Sequence, residues 1–484
     1  MKVTAYDFDI GVIGGGAAGL TVAAGSAQFG AKTYLVEAEK ELGGDCLHFG
    51  CVPSKTLIKT AHVYHMMKSG RNFGLPGIDP GPVDFQQVTQ RIQSVIQTIQ
   101  KHDSEERFCG LGVKVESGRP IFQDDYSVRV NNTTVSARNW VIATGSSASI
   151  PPIPGLDGIS YLTNRDIFSL DRLPASMIIL GAGPVAAEMA QAFSRLGTKV
   201  DVVQRSGQIL SKEDKDMADR VMEVLTSEGV TFHLNTSVLG VSEQGNQKMV
   251  EVKIGDQEPY SLQAEEILIA LGRASNLEGL DLDKAGIEFS PKGLEVDRRL
   301  RTVQKHIYAA GDVTGVYQFT HAAGYEGGIV VSSAILRLPR KADYTLMPWC
   351  TFTDPELAGI GMNEKQAQTA GIEYSVWTEE FADNDRFQAE GESVGILKMV
   401  LDDREKLIGV QILGPRAGEL INEWVAVMAG KVRLSTLASA VHPYPTLGEI
   451  NKRVAGAFFS PKIYSDTVKK GLKFFFNLKG RACE

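Results

Sequence analysis

The feature that most constrains the fold of this chain is a glycine-centred segment that occurs twice. The first copy reads "IGVIGGGAAGLTVAAGSAQFGAKTYLVEAE" from Ile10, and the second reads "IILGAGPVAAEMAQAFSRLGTKVDVVQRS" from Ile178. When the two copies are superimposed, Gly14 falls on Gly181. Each copy has an apolar strand pattern, a glycine turn, an alanine-rich helix pattern and a second β-rich strand. The repeat therefore predicts two βαβ units in one chain.

Each predicted unit carries the glycine pattern of a dinucleotide-binding site. The first glycine of such a pattern permits a tight turn, the second lets backbone N–H groups approach a pyrophosphate, and the third permits close packing of helix on strand. Two copies in the same structural context predict two dinucleotide sites. The glycines assigned to them are Gly14, Gly16 and Gly19 in the first copy and Gly181 and Gly183 in the second, where Ala186 takes the third position.

The residues that close the second strand differ between the two copies. Glu37 ends the first copy, and a carboxylate there can accept hydrogen bonds from an adenosine ribose without a 2′-phosphate. Gln204 and Arg205 stand at the matching place in the second copy, where a neutral amide beside a cation favours a 2′-phosphate. We therefore expect FAD at the first site and NADPH, ahead of NADH, at the second. A solvent-exposed loop position is the alternative interpretation of Arg205.

Three later segments support the binding of two nucleotides. "VIATGSSASIPPIPG" is a buried strand pattern that ends at Thr144 and Gly145, and "ILIALGRASN" ends in a similar turn near Gly272. "HIYAAGDVTG" places Asp312 after an apolar strand, where a carboxylate can hold a hydroxyl-bearing chain. An ordinary turn residue is the alternative interpretation of Asp312. We add these four residues to the predicted cofactor sites.

Length and charge narrow the class of protein. A chain of 484 residues exceeds the roughly 250–300 residues at which one core stops growing, so several domains are expected. The formal net charge of −8 disfavours nucleic acid as the main partner. The sequence shows neither a membrane-span pattern nor a signal-peptide pattern, which favours a cytoplasmic protein.

The segment "GGDCLHFGCVPSK" contains two of the five cysteines, Cys46 and Cys51. Thiols are normally kept reduced in the cytoplasm, so a close pair is more often catalytic or metal-binding than a structural disulfide. On spacing alone, a structural clamp, half of a metal site and a reversible redox disulfide all stay open.

In their order along the chain, these motifs resemble those of the pyridine nucleotide-disulfide oxidoreductases, the family of glutathione reductase, dihydrolipoamide dehydrogenase and mercuric reductase. The resemblance covers nearly the whole chain and ends with "FTDPE" and "HPYPTLGE". It implies an α/β fold with two Rossmann-like dinucleotide-binding domains and a C-terminal α+β dimerisation domain. The expected segments are an FAD-binding domain over 1–150, an NAD(P)H-binding domain over 151–275, a return to the FAD-binding domain over 276–344 and a dimerisation domain over 345–484.

The resemblance also assigns roles around the cysteine pair. It implies that Cys51 lies against the flavin as a thiolate, that Cys46 exchanges with the substrate, and that Lys55 pairs with Glu188 near the flavin. Such a pair keeps a buried ammonium tolerable, because an unpaired buried charge is costly. No second close cluster of cysteines or histidines completes a four-ligand zinc site, so no metal site is predicted.

The C-terminal motif departs from the family pattern. The usual His-x-His-Pro-Thr sequence has Tyr444 at its second histidine position, while Glu449 matches the glutamate that orients that histidine. A tyrosine, with a reference pKa of about 10, is a poor base near neutrality. His442 lies two positions earlier and is either a substitute acid/base or a structural histidine. Tyrosine at this position resembles the mercuric reductase branch.

The sequence therefore predicts an FAD-dependent, NADPH-linked oxidoreductase of the mercuric reductase-like branch. Electrons would pass from NAD(P)H through FAD and the cysteine pair to a disulfide or a thiol-bound metal ion, in a homodimer whose active site is shared across the interface. Two alternatives stay open. One is a dihydrolipoamide dehydrogenase-like enzyme that uses NAD, and the other is an electron-transfer or redox-sensing flavoprotein that acts on a protein partner.

The other cysteines are less informative. Cys109 and Cys350 lie in apolar or strand contexts and are expected to be small core residues. Cys483 stands alone in "LKGRACE", where mercuric reductases present a vicinal cysteine pair, and is either an exposed carrier thiol or an incidental tail residue.

Two further departures concern charge. Asp45 and His48 replace the threonine and asparagine common in the family, and they are expected to shift the pKa of Cys46 in opposite directions.

The terminal "VKKGLKFFFNLKGRACE" combines phenylalanines with lysines. It predicts either the last helix of the dimerisation domain, with an aromatic core face, or an amphipathic segment that binds a surface.

Overall fold

The computed structural model describes residues 6–482. Its strands are β1 (Phe8–Ile13), β2 (Thr33–Glu37), β3 (Val113–Ser117), β4 (Pro120–Phe122), β5 (Ser127–Val130), β6 (Thr133–Ile142), β7 (Ser146–Ala148), β8 (Ser176–Leu180), β9 (Lys199–Val203), β10 (Thr231–His233), β11 (Thr236–Gln244), β12 (Gln247–Ile254), β13 (Tyr260–Ala264), β14 (Glu266–Ile269), β15 (Arg273–Ser275), β16 (Ile307–Ala309), β17 (Trp349–Thr351), β18 (Glu356–Gly361), β19 (Tyr374–Glu380), β20 (Ile396–Asp402) and β21 (Leu407–Gly414). Its α-helices are α1 (Ala17–Gln28), α2 (Gly44–His48), α3 (Cys51–Lys68), α4 (Phe85–Gln100), α5 (Glu105–Gly110), α6 (Pro184–Leu196), α7 (Lys215–Ser227), α8 (Thr320–Ala334), α9 (Glu364–Thr369), α10 (Asp385–Glu390), α11 (Ala417–Ala429), α12 (Leu434–Ser439), α13 (Glu449–Ile463) and α14 (Asp466–Phe476).

These elements form two compact units. The first unit contains residues 6–68, 79–207 and 228–344, and the second contains residues 69–78, 208–227 and 345–482. The first unit is built on two sheets with parallel strands. One has seven strands in the order β3-β2-β1-β6-β5-β4, with β16 also paired to β6. The other has the order β10-β9-β8-β14 and is parallel throughout.

The repeat predicted from the sequence is present in these two sheets. Helix α1 connects β1 to β2, and α6 connects β8 to β9, and both strand pairs are parallel. The register pairs Ile10 with Thr33 in the first sheet and Ser176 with Lys199 in the second, which is the same separation along the chain. The predicted pair of βαβ units is confirmed.

The turn after each first strand requires a glycine. Gly14 has φ +107° and Gly181 has φ +102°, a region that L side chains rarely adopt. A Cβ at Gly14 would lie 2.4 Å from the Ala143 carbonyl oxygen, and a Cβ at Gly181 would lie 2.4 Å from the Ala270 carbonyl oxygen. Each turn therefore packs against the backbone directly after a neighbouring parallel strand, and only glycine allows this approach.

The core of the first unit lies on both faces of the seven-stranded sheet. Because strand side chains alternate between faces, β6 sends Trp140 into one buried cluster and Val141 into the other. Tyr34 packs edge-on against Trp140 in the first cluster, and both are fully buried. Full burial of a large apolar side chain contributes about 1.5–3 kcal/mol, so this core stabilises the sheet whose first strand leads into the Gly14 turn.

The second unit is built on an antiparallel sheet in the order β17-β18-β21-β20-β19. Helices α11 and α13 supply much of its core. Trp424 of α11 is fully buried and donates its indole N–H to the Asn451 side-chain oxygen of α13 at 2.7 Å. This bond fixes the two helices against each other in a site without water.

A buried lysine also belongs to the second unit. The Lys398 side chain is 2% exposed, and its Nζ lies 3.0 Å from both Asp214 and Asp216 and also contacts Glu364. Burial alone would lower the pKa of Lys398, but the three carboxylates outweigh it and raise the pKa to about 12. The three carboxylates are close enough together to hold a metal ion. Because the Lys398 ammonium contacts all of them, it already compensates their charge.

The predicted fold class, α/β followed by a C-terminal α+β region, is confirmed. The predicted segment boundaries at 150, 275 and 344 stay predictions. Within residues 6–482, every helix is too short or too polar to cross a bilayer.

Candidate active site

The cysteine pair lies where two helices meet. Cys46 is in α2 and Cys51 is the first residue of α3, so a short break in the helical path brings the two thiols together. In the described chain these thiols are not joined by a disulfide. The Cys51 Sγ also lies 3.4 Å from the hydroxyl of Thr320, the first residue of α8.

The two thiols differ strongly in acidity. A hydrogen bond from the Cys46 thiol, supported by the Thr320 hydroxyl and the Lys55 charge, lowers the pKa of Cys51 to about 6 in spite of burial. The same hydrogen bond, together with burial, raises the pKa of Cys46 far above its usual range. Near neutral pH the pair therefore carries one proton, held on Cys46, and Cys51 is a thiolate.

The predicted pairing of Lys55 with Glu188 is confirmed. The Lys55 Nζ donates to the Glu188 Oε2 at 2.7 Å, and the Glu188 side chain is only 5% exposed. Lys55 lies one turn along α3 from Cys51, whereas Glu188 comes from α6 of the second βαβ unit. The ion pair therefore ties the cysteine helix to the second dinucleotide motif.

The Asp45 carboxylate, next to Cys46 in the sequence, has its hydrogen-bond partners elsewhere in the chain. It accepts hydrogen bonds from Arg273 at 2.8 Å and from the Asn164 amide at 3.1 Å. The negative charge is therefore compensated by Arg273. The His48 Nε2–H donates to the Leu42 carbonyl at 3.0 Å, a contact that holds the loop before α2. The expected effects of Asp45 and His48 on the pKa of Cys46 stay predictions.

Arg273 connects Asp45 to the predicted flavin residue Asp312. Its Nε–H donates to the Ser146 hydroxyl at 2.7 Å, and that hydroxyl donates to the Asp312 carboxylate at 2.5 Å. Burial raises the pKa of Asp312, although Ser146 and Arg273 both oppose the shift. Asp312 is therefore part of a connected polar network and is not an isolated turn residue.

A buried glutamate supports the turn that carries Asp312. Glu326 of α8 accepts the Gly311 N–H at 2.6 Å and the Tyr344 hydroxyl at 2.6 Å. Burial raises the pKa of Glu326 to about 7, against the effect of these two donors. The Tyr344 pKa is also raised, by burial and by the hydrogen bond to Glu326.

The first βαβ unit fits an adenosine diphosphate group of the kind that FAD contains. The α1 helix begins after Gly16, where an added Cβ would meet only the Gly44 Cα, at 3.8 Å, so the backbone there is open to a phosphate. The Glu37 carboxylate accepts the N–H of Gly15 at 2.5 Å and the N–H of Glu39 at 2.8 Å. Each carboxylate oxygen keeps a further lone pair that a ribose hydroxyl can use.

The second βαβ unit has the same form with different polar groups. Helix α6 begins after Gly183, and an added Cβ there would meet no atom within 4 Å. The Gln204 side-chain amide donates to the Ser206 hydroxyl at 2.7 Å, and Arg205 is exposed. An exposed cation at this place is compatible with both interpretations of Arg205.

The predicted cofactor residues Thr144, Gly145 and Gly272 lie in the turns after β6 and β14. The Thr144 hydroxyl donates to the Asn276 carbonyl at 2.6 Å, and the Asn276 N–H donates to the Gly145 carbonyl at 3.0 Å. Gly272 accepts the backbone N–H of Ser149 at 2.9 Å. These contacts tie the first turn to the residue after β15 and the second turn to the residue after β7, and β7 and β15 pair with each other.

In the second unit, His442 and Tyr444 contact residues that lie outside the C-terminal motif. The His442 Nε2 lies 2.9 Å from the Glu423 carboxylate of α11, while its Nδ1 is buried. Tyr444 is 71% exposed and its hydroxyl donates to Asp385 at 2.7 Å, a contact that raises the pKa of Tyr444. Glu449, the predicted partner of position 444, is the first residue of α13 and affects Tyr444 through its charge at longer range.

Two predictions about the remaining cysteines have different outcomes. Cys109 lies on α5 and is exposed, so the expectation that it is a core residue is wrong. Cys350 is half-buried on β17 beside the core of the second unit. Cys483 lies outside the described residues.

Sequence reasoning missed several residues, in the first unit around the thiols and in the second unit beside the C-terminal motif. They are Thr320 beside Cys51, Arg273, Ser146 and Asn164 around Asp45 and Asp312, Glu326 and Tyr344 below Gly311, and Glu423 and Asp385 beside the C-terminal motif. Arg273 and Ser146 had a sequence signal, because they directly follow the predicted Gly272 and Gly145. The others are single polar residues whose partners are distant in the chain.

Two dinucleotide-binding βαβ units and a thiol pair of unequal acidity define a dithiol oxidoreductase. The chain belongs to the pyridine nucleotide-disulphide oxidoreductases: this family matches residues 8–327, and its dimerisation domain matches residues 347–455. The predictions of the family, of an FAD-dependent enzyme and of NAD(P)H as electron donor are confirmed.

Individual relatives fall into more than one branch of the family. Mercuric reductase of Staphylococcus aureus is 31% identical over 93% of this chain and 82% of its own length. Dihydrolipoamide dehydrogenase of Chaetomium thermophilum is 32% identical over 95% of this chain and 93% of its own. A solved Cu(II) complex of the HOCl-induced flavoprotein disulfide reductase RclA from Escherichia coli is 28% identical, with a TM-score of 0.83 over 93% of this chain and 99% of that one.

Proposed function

We propose that this chain is an NADPH-linked flavoenzyme of the cytoplasm that passes electrons through Cys46 and Cys51 to a thiol-bound metal ion or a disulfide. The observation that carries the proposal is the unequal acidity of the two thiols, with Cys51 near pKa 6 and Cys46 strongly raised. A pair of this kind holds one thiolate and one proton at neutral pH, which is the state a reversible dithiol needs before it meets its substrate.

Cofactor roles follow from the two βαβ units. Bound FAD supplies the two-electron chemistry that links NAD(P)H oxidation to disulfide reduction. The residues that we assign to FAD are Gly14, Gly16, Gly19, Glu37, Lys55, Thr144, Gly145 and Asp312. Those that we assign to NADPH are Gly181, Gly183, Glu188, Gln204, Arg205 and Gly272.

The residues around the thiols stabilise the Cys51 thiolate and position the Cys46 proton. Lys55, held by Glu188 at 2.7 Å, places a positive charge near the Cys51 thiolate and favours it. Thr320 donates a second hydrogen bond to the same sulfur. The Cys46 proton already points at Cys51, so it can transfer to Cys51 as Cys46 takes up thiolate character and attacks the substrate.

A thiol-bound soft metal ion is the substrate that we favour. Thiolates are the preferred ligands of such ions, and two adjacent sulfurs can take over one ion from a pair of small thiols. Disulfide reduction needs an acid for the leaving thiolate. Tyr444, which stands at the family's acid/base position, has a raised pKa, so it holds its proton tightly and is a weak acid near neutrality. The mercuric reductase relative and the Cu(II) complex of RclA agree with this choice.

One observation favours disulfide reduction of the dihydrolipoamide dehydrogenase type as a second candidate. His442 and Glu423 form an imidazole–carboxylate pair at 2.9 Å, the kind of pair that performs acid/base chemistry. For this role the buried Nδ1 of His442 would have to become accessible. We also propose a homodimer with its active site shared across the interface, supported by the match to a dimerisation domain over residues 347–455.

The test is turnover of the FAD-loaded protein with NADPH and a set of acceptors: Hg(II) and Cu(II) in excess small thiol, glutathione disulfide and lipoamide. We expect the metal ions to support NADPH oxidation, Cys46→Ser to abolish it, and Cys109→Ser to leave it unchanged because that exposed thiol lies on α5. If every acceptor leaves the reduced enzyme unoxidised, or if Cys46→Ser turns over normally, the proposal is refuted.

Two further variants separate the substrate classes. Tyr444→Phe should slow metal-ion turnover and His442→Ala should leave it unchanged if the first candidate is correct. The reverse result, with lipoamide as the faster acceptor, would establish the second candidate instead. Arg205→Ala should raise KM for NADPH and leave KM for NADH unchanged, whereas an equal effect on both cofactors would show that Arg205 is an ordinary loop residue.

A further inference from the structure

The last helix, α14, presents apolar side chains that the described chain does not cover. Phe474, Phe475 and Phe476 are 82%, 78% and 69% exposed, and within residues 6–482 this is a helix without a single buried residue. The expectation of an aromatic core face is therefore wrong within this chain. Three consecutive exposed phenylalanines are costly in water, so this surface needs an occupant.

The helix is amphipathic along its whole length. Val468, Leu472, Phe475 and Phe476 follow one another at helical spacing and form one side, which we call the apolar stripe of α14. The opposite side carries Lys469, Lys470 and Lys473. Four of the apolar side chains are thus on one face and the lysines are outside it, while Phe474, four residues after Lys470, lies on the lysine side.

The charge of this segment is opposite to that of the chain. The protein has a formal net charge of −8, yet α14 has three lysines and a single carboxylate, Asp466. Lys469 lies 3.6 Å from Asp466 and is still 61% exposed, while Lys479 and Arg481 add two exposed cations directly after the helix. A local cluster of five cations is complementary to a polyanionic surface.

The helix follows the segment that matches the dimerisation domain. The dimerisation domain matches residues 347–455 and α14 begins at Asp466. A second copy of this chain could cover the apolar stripe, but packing α14 against the α14 of that copy would provide no further anionic partner for the lysines, because both helices carry the same cations. An anionic lipid surface satisfies both faces at once, because acyl chains take the apolar stripe and headgroups take the lysines.

We propose that α14 docks this enzyme on the surface of a bilayer that contains anionic phospholipid. The helix lies in the plane of the interface, with the apolar stripe among the upper acyl segments and the lysines level with the phosphates. Ile463 and Tyr464, which are 56% and 66% exposed just before the helix, extend the apolar contact. At 11 residues the helix does not span the bilayer, so the docking is peripheral and depends on salt.

Vesicle flotation of the FAD-loaded full chain tests the proposal. The two vesicle compositions are pure phosphatidylcholine and phosphatidylcholine with a minor share of phosphatidylglycerol. We expect the protein to float with the phosphatidylglycerol vesicles and to be released by high salt. Each lysine near an anionic surface is worth roughly fivefold in affinity, so K469Q/K470Q/K473Q should weaken binding on the order of a hundredfold. F475S/F476S should weaken it to a similar degree at low salt.

Matched controls separate the helix from general effects. Phe289 is 52% exposed in the first unit, so Phe289→Ser removes an exposed phenylalanine away from α14. K101Q/K292Q/K431Q removes three exposed lysines away from α14 and changes the net charge equally. Both control variants should float as the unmodified protein does. Thermal melting and NADPH oxidation, neither of which involves α14, establish that every variant is folded.

Three results would overturn the proposal. One is equal flotation with both kinds of vesicle, and another is retained binding by both α14 variants. The third is a loss of the dimer in F475S/F476S by size-exclusion chromatography with no flotation of the unmodified protein, which would identify the apolar stripe as a contact between copies of this chain.

Discussion

Replacement of Cys46 by alanine should raise the pKa of Cys51. The largest influence that lowers this pKa to about 6 is the hydrogen bond from the Cys46 thiol. The hydrogen bond from Thr320 and the positive charge of Lys55 contribute less. A hydrogen bond to a charged group contributes about 1.5–3 kcal/mol, which is roughly one to two pKa units at 1.36 kcal/mol per unit. The midpoint of Cys51 in Cys46→Ala should therefore move from about 6 to between roughly 7 and 8.

Cys46→Ser is the matched control for this prediction. Serine keeps a hydroxyl that can donate to the Cys51 sulfur, so the midpoint should stay nearer that of the unmodified protein. Thr320→Val removes the donor at 3.4 Å and should raise the midpoint by less than Cys46→Ala does, because the Thr320 hydrogen bond lowers the pKa of Cys51 by less than the Cys46 hydrogen bond.

The assay is the rate at which iodoacetamide alkylates Cys51 in the FAD-loaded protein, followed across the pH range by mass spectrometry of the Cys51 peptide. Only the thiolate reacts, so the midpoint of the rate gives the pKa. Retention of FAD serves as the check on folding. Equal midpoints for Cys46→Ala and Cys46→Ser would refute the argument that a donated proton sets the acidity of Cys51.

Three other substitutions test buried charges by denaturation. Glu326 has a pKa raised to about 7, so its contribution to stability is complete below its unfolded pKa and is lost as the pH rises through about 7. The free energy of unfolding of Glu326→Gln should therefore rise by up to about 3 kcal/mol relative to that of the unmodified protein as the pH increases from 5 to above 7. A difference in unfolding free energy that does not change with pH would contradict this. Lys398→Met leaves the buried Asp214 carboxylate without its cation and should cost about 3–5 kcal/mol, whereas Lys462→Met, at a surface pair, should cost at most about 1 kcal/mol; equal losses would contradict the assignment. Asp45→Asn removes the partner of Arg273 and should lower stability by about 1 kcal/mol without moving the pKa of Cys51, and a shifted midpoint would show that Asp45 does act on the thiols.

Local backbone conformation could be predicted from the sequence because it depends on residues that are consecutive in the chain. The turns at Gly14 and Gly181 need positive φ and close backbone contact, and each is followed by a helix pattern of fixed period. The pairing of Lys55 with Glu188 came from the resemblance to the family, because neither motif by itself specifies the other as its partner. Repeats, glycine turns and motif order thus determined the fold class, the two nucleotide sites and the cysteine pair.

Partner choice over long sequence separations could not be predicted in the same way. Asp45 stands next to Cys46, yet its carboxylate meets Arg273, and Tyr444 meets Asp385 where its motif suggests Glu449. Which distant residue comes within 3 Å depends on how the sheets and helices pack, and a hydrogen bond exists only at that distance.

Which side chains are buried is likewise decided by the tertiary structure. The sequence determined that α14 is amphipathic, because the period of its apolar residues is local, but it left open whether Phe475 lies in a core or in solvent. The acidity of Cys51 and Glu326 was equally undecided, since the pKa of a group follows from its desolvation and from the donors that surround it after folding. Local order comes from adjacent residues, whereas desolvation and partner distance come from the whole chain packed together.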